Sequence, residues 1–312
     1  MILPKIISIV TPSFNQDKYL ERTVHSVLSQ SGDFYLDYII MDGGSTDSSR
    51  EIIKKFETIV LSGKKVANFE GLEFYLPAKN LGGIGCKGVS YRWFSERDNG
   101  QADAINKGWS ISKGSILGWL NSDDIYLENA FETVLKSFAK PDVFFIYGGS
   151  FHITVDDLII QQYPMESYDR GRLVDYCYIS QPAVFMRKEI IDKVGLLNQN
   201  LMYCMDYEYW LRISATIPLT FVNKMLACTR IHGETKTSSK MKVLSEIVRM
   251  QKALIGKVSR YWLDSYVDFW LTKKIKIDPS FTFLRRVVYI FFFVLFDVRF
   301  NYGRFTLKRI FL

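Results

Sequence analysis

A chain of 312 residues, 48% hydrophobic and 23% charged, holds enough apolar side chain for one large or two modest folded domains, which excludes a disordered chain. Its four cysteines, Cys86, Cys177, Cys204 and Cys228, form no C-x-x-C pair and no cluster, which argues against a zinc site and fits reduced thiols in a cytosolic compartment. The net charge of +7 is uneven: residues 241–312 carry 14 Lys/Arg against 5 Asp/Glu, or +9, and the first 240 carry 26 against 28, or −2. That excludes a basic N-terminal domain and points to an anionic partner at the C-terminal end, with no nucleic acid among the expected partners.

In chain order, M-I-L-P-K-I-I-S-I-V-T lacks the basic start and long apolar core of a signal peptide. Lys5 to Thr11 reads as a buried strand ended by Pro12. Leu20, Val24, Val27 and Leu28 then recur at helical spacing, so Asp17 to Gln30 reads as an amphipathic helix. Leu36 to Met41 is a second buried strand. It runs into M-D-G-G-S-T-D, where two glycines allow a tight turn and Ser45, Thr46 or Asp47 can cap the next helix. The alternation of strand and helix with short connections is that of a parallel sheet. Residues 58–88 show no sustained period and read as an inserted loop or hairpin. Val89 to Phe94 resumes as a strand, and Ala102, Ile105 and Trp109 mark one face of a helix. Val143 to Tyr147 reads as a strand ending at Gly148 and Gly149. Beyond residue 150 the pattern weakens, with short helices at Glu189–Val194 and Asp206–Ala215.

The most informative stretch is W-L-N-S-D-D, Trp119 to Asp124. An apolar strand, Ser115 to Leu120, stops at a polar tetrapeptide with two adjacent carboxylates. Two such groups repel and lose hydration at a strand end, and a hard cation with oxygen ligands offsets that cost. The place just past the carboxyl end of a strand is also where open α/β sheets bind ligands. A plainer role is a helix cap, with Asp124 starting a helix over Tyr126–Phe138. The order of elements brings Pro12–Asn15, Asp42–Ser45 and Asp98–Asn106 to the same edge. Phe14 could lie against a flat base, Asp42 could accept from a base N–H or a ribose hydroxyl, and a metal at Asp123 would bridge to a diphosphate. Together these parts describe a nucleotide-diphosphate site.

T-P-S-F-N-Q, I-I-M-D-G-G-S-T-D, E-R-D-N-G-Q-A-D-A-I-N-K-G, G-W-L-N-S-D-D, I-S-Q-P-A-V-F, M-D-Y-E-Y-W-L-R and R-I-H-G-E-T-K-T-S-S follow one another over residues 5–240. As an ordered set they resemble family 2 glycosyltransferases of the GT-A fold, a Rossmann-like, mainly parallel α/β sheet with helices on both faces. The resemblance implies an inverting transferase, of bacterial surface-polysaccharide type, that takes sugar from a nucleotide diphosphate, usually UDP, and requires Mn²⁺ or Mg²⁺. It implies that Pro12, Phe14 and Asn15 line the base and that Asp42 binds the nucleoside. Asp98, Gln101 and Asn106 lie in the segment that contacts nucleotide and donor. Asn121 stands where the family has the first carboxylate of its Asp-x-Asp. That leaves Asp123 as the direct metal ligand, with Asp124 assisting through water. Asp206 matches the general base, preceded by Met205 where an acid is common. His232 matches a residue near the metal and diphosphate. Gln181 and Pro182 either line the acceptor pocket or form a turn.

The catalytic domain expected on this reading covers 1–240, with 58–88 as an insertion, and a helical tail covers 241–312 with a break at Pro279. In the tail, Val287 to Phe296 is an unbroken apolar run. It is too short for the roughly 20 residues of a bilayer span. Flanked by Arg285, Arg286, Arg299, Arg304, Lys308 and Arg309, it fits a helix lying in the interface of an anionic membrane, or else docked on the catalytic domain. The expected acceptor is a glycan or lipid-linked, and the expected location is cytoplasmic, peripheral on the inner face of the plasma membrane. A nicotinamide oxidoreductase would need G-x-G-x-x-G after the first strand, where T-P-S-F-N stands. A sugar nucleotidyltransferase would carry a glycine-rich, Arg-containing loop near the start. A non-catalytic carbohydrate-binding protein would not need both Asp123 and Asp206.

Overall fold

The computed structural model describes residues 5–77, 85–233, 239–275 and 282–302. Gly82, Gly83, Pro279, Arg304, Lys308, Arg309 and residues 234–238 of the last motif lie outside them, and the side chain of Arg285 is likewise not described. The first half alternates: β1 (Ile6–Ser13), α1 (Asp17–Leu28), β2 (Tyr35–Asp42), α2 (Ser49–Leu61), then a hairpin of β3 (Lys64–Phe69) and β4 (Leu72–Leu76), β5 (Gly88–Ser95), α3 (Gln101–Ile111) and β6 (Ile116–Trp119). β1 is buried along its whole length because β2 and β6 pair with it in parallel on either side, which is why it reads as a continuous apolar run. The register sets Ser13 beside Asp42, Asp42 beside Ser95, and Val10 beside Trp119. The carboxyl ends of β5, β2, β1 and β6 therefore form one edge. α3 lies close on β1, where a Cβ on Gly108 would meet Val10 Cγ1 at 2.5 Å.

Two expectations about the middle of the chain are refined. α2 continues to Leu61, and the aperiodic stretch after it contains an antiparallel hairpin whose turn holds Glu70 and Gly71 at φ 50° and 81°. Both angles are left-handed, as a tight hairpin turn requires. The segment after Asp124 is a short strand, β7 (Ile125–Tyr126), and the helix α4 (Ala130–Phe138) begins later, so Asp124 caps no helix.

The strand expected to stop at Gly148 and Gly149 runs through both: β8 spans Phe145–Ile153. A Cβ at Gly148 would meet Leu226 Cδ1 at 2.6 Å, and one at Gly149 would meet Met225 Sδ at 2.4 Å. The glycines thus permit close approach of a neighbouring strand instead of a turn. β8 also pairs with β9 (Ile159–Gln162), β10 (Val184–Arg187) and β11 (Thr220–Arg230). α6 (Glu189–Val194) follows β10 as expected. The strand order is β3-β4-β5-β2-β1-β6-β10-β8-β11-β7, with β9 off this path on β8. The result is a mixed, mainly parallel sheet around one large core that includes Ile9, Tyr38, Ile40, Phe131, Phe185 and Leu226.

The chain divides into two compact units. The sheet lies in the first, which comprises residues 1–168, 178–202 and 213–232. The second comprises residues 169–177, 203–212 and 233–312, with α5 (Arg170–Asp175), most of α7 (Met205–Ile213), α8 (Lys240–Ile255), α9 (Arg260–Trp270) and α10 (Thr282–Asp297). Its own core joins Val248, Leu263, Val267, Leu271 and Phe296. Within it, Tyr203 and Cys204 donate their backbone N–H groups to Glu246 Oε1 at 2.6 and 2.9 Å, which supplies acceptors just before α7 begins. The Tyr207 hydroxyl lies within hydrogen-bond distance of the Leu173 and Val174 carbonyls and receives the indole N–H of Trp262.

Candidate active site

The polar loop after β6 is built from three directions. Thr23 on α1 directs its buried hydroxyl at the carbonyls of Ser122 and Asp124, at 2.9 and 2.8 Å. Arg230, at the end of β11, holds the loop from the other side. Its backbone N–H donates to Asp124 Oδ1 at 3.0 Å and its Nε to the Asp123 carbonyl at 2.9 Å. Its Nη1 donates to the Thr154 and Val155 carbonyls and pairs with Asp157. These partners of Nε and Nη1 offset the cost of burying a guanidinium with no solvent exposure, while its buried Nη2 has no partner among the described residues. It also lies over the Tyr19 ring, 5.2 Å from its centre.

That scaffold brings two of the expected metal residues together. His232 Nε2 is 3.0 Å from Asp123 Oδ2, with the imidazole almost buried and Asp123 about one-fifth exposed. The His232 ring also packs against Tyr19, at 4.9 Å between centres. Carboxylate oxygen and imidazole nitrogen both suit Mn²⁺, and the carboxylate suits Mg²⁺. Among the described residues no group of three or more His, Cys, Asp or Glu converges to hold a metal. The Asp123–His232 pair has the chemistry to contribute ligands to a cation that takes the others from water or a bound anion.

Asp124 is bound within the loop itself. It is buried, with Oδ1 accepting from Arg230 and Oδ2 from the Asn121 amide at 3.2 Å. Burial first, and then the neighbouring Asp123 charge, push its carboxyl well above the usual carboxylate range, opposed by those hydrogen bonds. Its place is to hold the loop.

Asn121 belongs to a chain of amides. Gln101 Nε2 donates to its Oδ1 at 2.5 Å, and its Nδ2 donates to Gln181 Oε1 at 3.1 Å. Gln181 Nε2 in turn donates to the Trp119 carbonyl at 2.9 Å. So Gln181 is a neighbour of the loop through a one-turn 3-10 helix, Gln181–Ala183, while Pro182 is buried inside that turn. Restoring the missing carboxylate is expected to harm the fold. Asp at 121 offers no donor to Asp124 or Gln181 and sets a second acid against a buried one. Asn121→Asp should lose about 1–3 kcal/mol of stability, read as a lower urea midpoint without added metal. An equal or higher midpoint would show that the amide chain does not select this residue.

The other expected nucleotide residues lie around the ends of β1, β2 and β5. Phe14 is 58% exposed, and a Cβ on Gly43 would fall 2.8 Å from Asp98 Oδ2 and 3.4 Å from the Phe14 ring. Phe14 and Asp98 thus lie close together over the buried Gly43, with Asp98 Oδ1 held by the Gly100 N–H at 2.8 Å. Pro12 is buried in β1. Asn15 adopts φ 51° and accepts the Thr46 N–H at 2.8 Å, closing the two strand-end turns on each other. Asp42 is buried, with its oxygens taken by the Ser45 hydroxyl at 2.5 Å and the Ser95 hydroxyl at 2.6 Å. In this structure it serves as a turn residue. Asn106 is bound up with the backbone of Leu197. Its amide is consumed at both ends by Leu197, donating to the carbonyl at 2.9 Å and accepting the N–H at 3.0 Å, and is buried. It fastens α3 to the loop after α6.

In the second unit, Asp206 sits at the start of α7 with Oδ1 accepting the Tyr207 N–H at 2.8 Å. Glu208 is gripped by Arg212 one turn on, Nε to Oε1 at 2.9 Å and Nη2 to Oε2 at 2.8 Å. Trp210 is fully buried, as a core residue would be. Sequence reading passed over Thr23 and Arg230. The signal for Arg230 was its place in R-I-H, two residues from His232 on what proves to be a strand end.

The glycosyl transferase family 2 model matches residues 8–195, from β1 through α6. A protein of Rickettsia typhi named as an uncharacterised glycosyltransferase is 23% identical over 274 residues, 82% of this chain and 73% of its own. Among solved structures, Staphylococcus aureus TarS 1–349 in complex with UDP-GlcNAc aligns with a TM-score of 0.58 at 14% identity, over 89% of this chain and 74% of that one. The mannosyltransferase PcManGT of Pyrobaculum calidifontis, in complex with GDP-Man and Mn²⁺, aligns with a TM-score of 0.57 at 9% identity, over 93% and 82%. At these identities the two structures show the GT-A-like fold.

Proposed function

Since the chain belongs to glycosyl transferase family 2, we propose that it moves a sugar with inversion from a nucleotide-diphosphate donor, a UDP-sugar, to a hydroxyl of a glycan or lipid-linked acceptor. The observation that carries this reading is the Asp123–His232 pair at 3.0 Å, at the edge where the parallel strands end. Phe14 and Asp98 offer an exposed ring and a carboxylate on the same edge, suited to a base and its ribose. A divalent cation, Mn²⁺ or Mg²⁺, held by Asp123 and His232 would offset the charge growing on the departing diphosphate. Asp206 takes the proton of the attacking hydroxyl, a role supported by its match to the family's M-D-Y-E-Y-W-L-R stretch and by its partial exposure in a helix of buried neighbours. The single displacement needs no covalent intermediate.

The biological setting proposed is assembly of a bacterial surface polysaccharide, with the basic C-terminal helices on the anionic inner face of the plasma membrane. No described helix is long and apolar enough to cross a membrane. A panel of UDP- and GDP-sugars, assayed for nucleotide release with and without Mn²⁺, tests the reaction. Release of UDP from one UDP-sugar, dependent on metal, is the expected result. Absence of metal-dependent release from every donor would remove the proposal.

A further inference from the structure

The apolar run of the last helix is divided between two tasks. One face of α10 is used inside the second unit: Phe292 packs on Trp270 at 4.8 Å between ring centres and Phe296 on Tyr266 at 5.4 Å. Val288 and Phe293 join the same core, and the Tyr289 hydroxyl donates to Asp264. The other face is exposed. Val287, Ile290, Phe291 and Val294 are 50%, 61%, 62% and 53% exposed. Their spacing of three, four and seven residues from Val287 makes one continuous stripe along the helix. Exposed apolar residues in such a stripe are not the scatter of an ordinary surface.

Charge says what covers it. Arg286 is exposed at the head of the stripe, and Arg260 on α9, 86% exposed at its side chain, stands over Phe293 at 5.9 Å. The segment they belong to carries +9. In a two-fold contact with a second copy these guanidinium groups would face their own kind across a self-complementary patch. Four side chains also fall well short of the about 20–30 residues a side of a stable protein pair. Lipid phosphates answer both features, since an apolar strip with arginines along it matches an anionic headgroup layer over acyl chain. No described helix is long and apolar enough to cross a membrane, and one face of α10 is packed in its own unit's core, which suits a helix in the plane of the interface.

We propose that Val287, Ile290, Phe291 and Val294 form a wedge that enters the interface of an anionic bilayer while Arg260 and Arg286 hold its headgroups. The proposal rests on the membrane attachment of the C-terminal helices given above and assigns the face that makes it. Vesicle flotation of the full chain tests it, with phosphatidylcholine vesicles with and without phosphatidylserine. Wild type should float with the anionic vesicles. I290S/F291S should bind them at least about tenfold more weakly, with an unchanged melting temperature and unchanged release of nucleotide in solution. V287S/V294S should behave alike, and R260Q/R286Q should lose only the preference for anionic lipid. If both serine variants bind like wild type while R260Q/R286Q does not, attachment is electrostatic and the wedge is overturned, with the broader membrane reading intact. If wild type binds no vesicle, both readings fall. If wild type sediments as a dimer and the serine variants as monomers without vesicle binding, the stripe belongs to a second copy and the wedge is likewise overturned.

Discussion

Asp123→Asn is expected to reduce transfer by about 10² to 10³, the range seen when a group that stabilises developing charge is removed, and to leave the fold standing. The reason lies in what each part of Asp123 does. Its carbonyl accepts from Arg230 Nε, a bond that any side chain at 123 leaves in place. Its carboxylate contacts His232 and is the exposed member of the adjacent acids. An amide can still bond the imidazole but carries no charge for a cation. Relief of repulsion toward buried Asp124 even favours the folded chain. Mn²⁺ titration by calorimetry, turnover and thermal melting should therefore separate: no metal binding, no transfer, an equal or higher melting temperature. Chelation of the wild type should reproduce the loss of transfer, and added Mn²⁺ should restore it. Full activity in Asp123→Asn with metal still required would move the metal site elsewhere.

The parallel half of the fold was legible because its strands are buried on both sides. Ile6–Ser13 and Tyr35–Asp42 are almost wholly buried, and so are their apolar runs. The long strand Thr220–Arg230 was not, since it is half exposed and its pairing with β8 shifts register between Phe221, Met225 and Ala227, which breaks any period of two. The site shows the same limit at the level of single groups. A motif reveals which polar residues gather at a strand end, but not whether they face a ligand or the backbone. Asn106 and Asp124 face Leu197 and Arg230, while Asp123 and His232 face each other. Arg230 reads as a surface charge in sequence. Its burial depends on Asp157, Asp124 and Tyr19, partners distant along the chain.

The same distinction separates the two acids of α7. Residues two apart on a helix point about 200° apart, so Asp206 and Glu208 cannot serve one hydroxyl together. Glu208 is almost buried and has both oxygens held by the Arg212 fork, an arrangement that fixes the helix and leaves both oxygens occupied. Asp206 is only partly buried in the first turn, where the helix dipole favours a carboxylate. A base must exchange a proton with a substrate, and a carboxylate locked in a fork cannot approach one. Asp206→Asn is therefore expected to lower kcat by about 10² to 10⁴ while the nucleotide-sugar Kd stays near wild type, because the base acts on the acceptor. Glu208→Gln removes the charge from one side of the fork. It should cost about 1–3 kcal/mol of stability, seen as a lower urea midpoint, with a far smaller effect on kcat. Donor titration, turnover and unfolding measured on both variants decide the matter. A dead Glu208→Gln beside an active Asp206→Asn would reverse the assignment, and a collapse of donor binding in Asp206→Asn would make that residue a donor contact instead of a base.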